Sequence, residues 1–124
     1  YIVCHGVFSW VPASTRAKIF QIIRKALAPT GVAYCSFNTF PGWRMRGTLR
    51  DIMQFGAALS LSGAPIDELQ RGCEFLGLVS RSRTQTAEPF DLFLRNAIDR
   101  LQRSDLAYLY HEYLEKVNEP MLLT

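Results

Sequence analysis

The stretch YIVCHGVFSWVP, Tyr1 to Pro12, decides the fold. Tyr1-Ile2-Val3-Cys4 is an unbroken apolar run, the pattern of a parallel strand buried on both faces, and His5 and Gly6 stand where that strand ends. Pro12 then suits a first helical turn. Ile19, Ile22, Ile23, Ala26 and Leu27 recur at helical spacing opposite Arg16, Lys18, Gln21, Arg24 and Lys25, with Arg24 and Lys25 set at the negative end of the helix dipole. Pro29-Thr30-Gly31 leads into a second strand-like run, Gly31 to Asn38. A strand, a helix and a strand of these lengths predict an α/β unit of two parallel neighbours joined by a crossover helix. Two strands cannot supply the layers a parallel sheet requires, so the sheet is expected to be incomplete within this sequence.

Beyond Asn38 the periodicity becomes helical throughout. Met45, Leu49, Ile52, Met53 and Leu59 mark one amphipathic helix; Pro65 with Asp67 and Glu68 starts another, carrying Ile66, Leu69, Cys73 and Leu76 on one face. Ser80 to Thr86 is polar and aperiodic and predicts a loop. Pro89 opens a helix with Phe93, Leu94, Ala97, Ile98 and Leu101 as its stripe. Ser104 can cap a last helix along Leu106, Leu109, Tyr110, Tyr113, Leu114 and Val117, ended by Asn118-Glu119-Pro120.

The 124 residues are 48% hydrophobic with a net charge of +3. That suits a globular core and falls well short of the basic stripes of nucleic-acid binders, so no nucleic-acid partner is expected. No apolar run approaches a membrane span, and no leader pattern is present. Cys4, Cys35 and Cys73 form an odd set among apolar neighbours and read as reduced thiols, which with the rest predicts a cytoplasmic protein. A metal on Cys4, His5 and Cys35 is disfavoured, because adjacent strand residues point to opposite faces.

Ligands of open α/β sheets bind beyond the carboxyl ends of the strands, which directs attention to His5 through Trp10 and to Asn38-Thr39-Phe40-Pro41-Gly42-Trp43. Gly6 and Gly42 permit close backbone approach, His5 and Asn38 donate and accept, and Trp10 and Trp43 offer flat apolar walls, the ingredients of an adenosine-type pocket. By residue type alone the commoner reading of His5 is a loop histidine bonded to backbone, and that of the two tryptophans is packing of the loop onto the sheet. Arg44, Arg46 and Arg50 gather after the second loop; Arg46 and Arg50, four apart, repel unless an anion lies near, and a solvated face is the commoner arrangement. His111-Glu112 lacks the second histidine of a zinc-protease helix, Ser9, Ser36 and Ser60 lack a nucleophile elbow, and neither G-x-G-x-x-G nor a P-loop occurs.

The runs from Tyr1 to Pro12, Leu27 to Tyr34 and Asn38 to Trp43, with His111-Glu112-Tyr113-Leu114 and Asn118-Glu119-Pro120, resemble bacterial class I S-adenosylmethionine-dependent methyltransferases that carry a methyltransferase regulatory domain, a group that includes the rickettsial protein lysine methyltransferases. The resemblance covers essentially the whole sequence. It implies that the strands are the fourth and fifth of a seven-stranded Rossmann-like sheet and that the glycine loop for the cofactor lies before Tyr1. Residues 1–43 are then the end of the α/β domain, and 44–124 a helical insertion and the start of the regulatory domain, an α-helical bundle. S-adenosylmethionine is the implied cofactor, with His5, Gly6 and Val7 beside it. Asn38, Pro41, Gly42 and Trp43 face the acceptor, a protein lysine or another amine or hydroxyl, and His5 is the candidate proton acceptor.

The rival expectation is a non-catalytic helical interaction module, with Met45, Met53 and the tyrosines of the last helix as a partner surface. Unpaired strand edges further predict self-association.

Overall fold

A computed structural model describes residues 1–83 and 88–122. The chain divides into two compact units, Tyr1–Arg44 with Lys116–Thr124, and Met45–Glu115.

In the first unit, β1 (Ile2–Cys4) and β2 (Ala33–Cys35) run parallel, with Ile2 opposite Ala33, Val3 opposite Tyr34 and Cys4 opposite Cys35. The expected crossover helix is α1 (Ala13–Ala26), with Pro12 as its N-cap rather than inside its first turn. Burial on both strand faces is not observed. Ile2, Cys4, Ala33 and Cys35 are half-buried, but Val3 and Tyr34 are 69% and 53% exposed. Among the described residues no element covers that second face, so strands whose composition suits two-sided burial show the alternation of one-sided burial. For the same reason α1 buries none of its residues. The small core gathers around Phe8, which lies in a single 3-10 turn (Phe8–Trp10) and meets Phe20 edge-on at 5.0 Å and Phe37 at 6.0 Å.

The second strand stops at Cys35 instead of reaching Asn38. A separate short strand, β3 (Thr39–Phe40), pairs in parallel with β4 (Met121–Leu122), and the Met121 N–H donates to the Asn38 carbonyl. A cis Phe40–Pro41 peptide follows.

The second unit is helical: α2 (Arg44–Ala57, whose first residue belongs to the first unit), α3 (Pro65–Ser82), α4 (Pro89–Leu101) and α5 (Leu106–Leu109), which runs on into a π-helical turn over Tyr110–Leu114. Its core comprises Leu49, Met53, Leu69, Leu76, Leu94, Ala97, Leu101, Leu109, Tyr113 and Leu114. Gly56 and Gly72 let α2 and α3 approach closely, for a Cβ on Gly56 would lie 2.4 Å from Phe75 Cβ and one on Gly72 2.8 Å from the Met53 carbonyl oxygen.

Several helical expectations are corrected. Leu59 lies past the end of α2 and is exposed, as are Ile66 and Leu106, because the helices turn other residues of their stripes inward. Ser80 to Ser82 are helical, propensity having yielded to continuation of α3, and Thr84 to Thr86 lie outside the described residues. The last helix is capped by Asp105, whose carboxylate accepts from the Ala107 and Tyr108 N–H groups, while the Ser104 hydroxyl donates back to the Arg100 carbonyl. It ends at Leu114, four residues before Asn118.

Arg50 is not on a solvated face either. It is 8% exposed and donates to the backbone carbonyls of Glu112, at 3.2 Å, and Glu115, while Arg46 donates to Glu112 Oε1 at 2.7 Å. The anion that relieves the two arginines is therefore a carboxylate of the same unit. Burial lowers the Arg50 pKa, opposed by Asp51, Glu115 and Glu112. The rival partner surface loses two of its members, since Met53 is fully buried and Tyr113 nearly so. No described helix is long and apolar enough to cross a membrane.

Candidate functional site

The two parallel strands of the first unit end together, and the backbone beyond them encloses a cleft of about 250 Å³. One wall is His5, Gly6, Val7, Ser9 and Trp10, the other Ser36, Phe37 and Asn38. This is where the strand-end rule places a ligand. Gly6 turns the chain away from β1 with a φ of +69°, a backbone state that side-chain-bearing residues adopt at a cost of roughly 1–2 kcal/mol.

The polar groups are tied to one another across the strand ends. Ser36 Oγ accepts the Gly6 N–H at 2.9 Å and lies 2.9 Å from His5 Nδ1. The His5 ring also leans on Tyr34, with centroids 5.9 Å apart. His5 is thus bonded to a side chain rather than to loop backbone, and its Nε2 edge is left for other partners. Ser9, 1% exposed, accepts the Asn38 N–H on its hydroxyl at 2.8 Å and the Glu119 N–H on its carbonyl. The Asn38 amide donates to Asn118 Oδ1 at 3.1 Å, and Glu119 pairs with Arg16 of α1. The segment after Lys116 therefore braces the second loop from behind.

The residues singled out in the sequence reach this neighbourhood in different ways. His5, Gly6, Val7 and Asn38 line the cleft directly. Trp43 meets the cleft residue Trp10 edge-on, ring centroids 6.1 Å apart at 84°, so it packs behind Trp10, which is the tryptophan that lines the cleft. Pro41 and Gly42 do not line the cleft; they form the turn into α2, closed by the Trp43 N–H on the Thr39 carbonyl and the Arg44 N–H on the Pro41 carbonyl. Arg44 stacks over the Phe40 ring at 4.8 Å. Ser36 and Ser9 were considered in the sequence only as nucleophiles, yet both act as hydrogen-bond posts. In the observed register Cys4 stands opposite Cys35, which sets His5 beside Ser36, a pairing that the two apolar runs alone do not specify.

In the helical unit a wider depression of about 340 Å³ is bordered by Ser62, Asp67, Gln70, Arg71 and Glu74. Its polar groups pair among themselves, Ser62 with Asp67 and Arg71 and Gln70 with Glu74. Among the described residues no three His, Cys, Asp or Glu side chains cluster as a metal would require.

No family model matches the chain. Among curated proteins it is 36% identical over 118 residues to the uncharacterized protein RP028 of Rickettsia prowazekii, covering 95% of this chain and 46% of that one. It is 29% identical over 120 residues to the uncharacterized protein sll1526 of Synechocystis, covering 94% and 22%. Among solved structures it matches PKMT2 from Rickettsia typhi at 36% identity with a TM-score of 0.72, over 98% of this chain and 22% of that chain. The chain is similar to part of a rickettsial methyltransferase. PKMT2 in complex with AdoHcy matches with a TM-score of 0.74 at the same identity and coverage. The chain spans less than half the length of the curated relatives it matches. At this identity and TM-score PKMT2 and the present chain share the fold of the aligned region.

Proposed function

We propose that this chain forms part of an S-adenosylmethionine-dependent methyltransferase acting on a protein lysine or a related amine or hydroxyl acceptor. The observation that carries the reading is the match to PKMT2 bound to AdoHcy over 98% of the chain. In this account β1 and β2 are the fourth and fifth strands of a larger Rossmann-like sheet. Residues 1–43 are the end of its α/β domain, and 44–124 are the helical insertion and the start of a regulatory domain.

The cleft suits one end of such a cofactor. Its 250 Å³ lies below the roughly 300–1,000 Å³ of a complete small-molecule site, and it offers a glycine turn, an imidazole, an amide and an indole wall. His5, Gly6 and Val7 border the cofactor, and Asn38 with the Pro41-Gly42-Trp43 turn faces the acceptor. A glycine-rich loop for the rest of the cofactor is supplied by sequence outside these residues. When bound, the cofactor provides an electrophilic methyl group on sulfur.

The chain's own task is to position the acceptor in line and to receive its proton. With Nδ1–H donating to Ser36 Oγ, His5 Nε2 keeps a lone pair facing the cleft and takes that proton. Asn38, held by Ser9 and Asn118, offers its side-chain amide oxygen Oδ1 to an acceptor N–H or O–H. The test is transfer of labelled methyl from S-adenosylmethionine to protein acceptors by the polypeptide that carries these residues. His5→Gln is expected to lower kcat with little change in KM for the cofactor, and Asn38→Ala to raise KM for the acceptor. Transfer that is indifferent to both substitutions would remove the assigned roles.

A further inference from the structure

Cys4 and Cys35 are the last register pair of the two parallel strands, and both are half-buried free thiols. Register partners on neighbouring parallel strands project from the same face of the sheet. Strands in a sheet lie about 4.8 Å apart, and disulfides join Cα atoms roughly 4.4–6.8 Å apart, so the backbone already stands within bridging distance. The pair is one-sided in its burial too, since Ile2, Cys4, Ala33 and Cys35 are the half-buried residues of the two strands while Val3 and Tyr34 between them are exposed. Burial, and after it the neighbouring Cys4, pushes the Cys35 thiol up. Cys73 has no such neighbour: it lies on α3 in the helical core, where burial alone is the main cause raising its pKa.

We propose that Cys4 and Cys35 form an oxidisable dithiol, a modification site that closes to an intramolecular disulfide with a low-molecular-weight disulfide such as oxidised glutathione. One cysteine thiolate attacks a sulfur of the oxidant, whose S–S bond breaks and releases one glutathione thiol. The other cysteine then attacks the mixed disulfide and releases the second. Two protein thiols lose two electrons and two protons, and the oxidant gains them as two glutathione thiols. The bond forms one residue before His5 on β1 and one residue before Ser36 on β2, so oxidation is transmitted directly to the His5–Ser36 contact at the mouth of the cleft.

The experiment is to equilibrate the reduced 124-residue chain with oxidised glutathione at pH 8, block the remaining thiols, digest without reduction and map the peptides by mass spectrometry. The expected product is a peptide pair joined through Cys4 and Cys35, lighter by two hydrogen atoms and restored by dithiothreitol, with Cys73 recovered as the blocked thiol. Cys73→Ala should give the same cross-link in the same yield. The same reaction in denaturant should lose the preference and distribute all three pairings. Stable glutathione adducts at Cys4 and Cys35, links between chains, or a native yield no greater than the denatured one would each overturn the proposal.

Discussion

His5 Nδ1 lies 2.9 Å from Ser36 Oγ, one residue beyond the last register pair of β1 and β2, and the same oxygen accepts the Gly6 N–H. One hydroxyl thus fixes both the imidazole and the turn that carries it away from the strand. Ser36→Ala is expected to cost about 1 kcal/mol, the net worth of a hydrogen bond of this kind. It should also change the tautomer balance of His5, read from the nitrogen shifts of the ring. Unchanged ring shifts would mean that Ser36 does not orient His5.

Gly6→Ala separates backbone strain from crowding. A Cβ there meets nothing within 4 Å, yet φ is +69°. The expected loss is about 1 kcal/mol in urea unfolding, entirely from the left-handed conformation.

Three glycines of the helical unit give the opposite contrast. Gly56→Ala and Gly72→Ala place a methyl against Phe75 and against the Met53 backbone and should each cost about 1–3 kcal/mol. Gly47→Ala, in the same helix α2 as Gly56 but facing open space, should stabilise by about 0.5–1 kcal/mol. Equal effects at all three positions would contradict the close approach of α2 and α3.

Arg50 is the buried cation whose forked head satisfies the carbonyls of Glu112 and Glu115 at the end of the last helix. Arg50→Met should destabilise by about 2–3 kcal/mol by stranding both acceptors beside Glu112. Arg50→Lys, with a single ammonium head, should recover only part of that loss.

The strand pair and its crossover helix were legible because a continuous apolar run, an amphipathic helix and a second apolar run permit few topologies. The positions of His5, Gly6, Val7 and Asn38 at one cleft followed from that topology. What stayed hidden were contacts across long sequence separations: Asn118 on Asn38, Glu119 on Arg16 and β4 on β3. Two-residue strands carry no periodicity, and Met121-Leu122 has no pattern to distinguish it from a tail. The solvated face holds for Arg46, which is exposed, but not for Arg50, because the Glu112 and Glu115 carbonyls that bury it lie far along the chain.

Alkaline pH should weaken the fold. The Cys73, Cys35 and Tyr113 pKa values are raised, each mainly by burial, so the folded state holds these protons more tightly than the unfolded chain. Their stabilisation is complete below the ordinary thiol and phenol range and is lost as pH rises through the raised values. Urea midpoints should therefore fall between pH 8 and pH 11, and less steeply in Cys73→Ala.

The open face bearing Val3 and Tyr34 should drive self-association of the chain in isolation. Light scattering should report mass rising with concentration, and the pair Val3→Glu and Tyr34→Lys should return it to the monomer value.

The most direct test of the proposed function is calorimetric titration of S-adenosylhomocysteine into the natural polypeptide that contains these residues, into its His5→Ala variant, and into the 124-residue chain alone. The account predicts micromolar binding to the first and binding weakened about tenfold, or roughly 1.4 kcal/mol, in the second. For the isolated chain it predicts no measurable heat. Absence of binding to the natural polypeptide, or full affinity in the short chain, would contradict it.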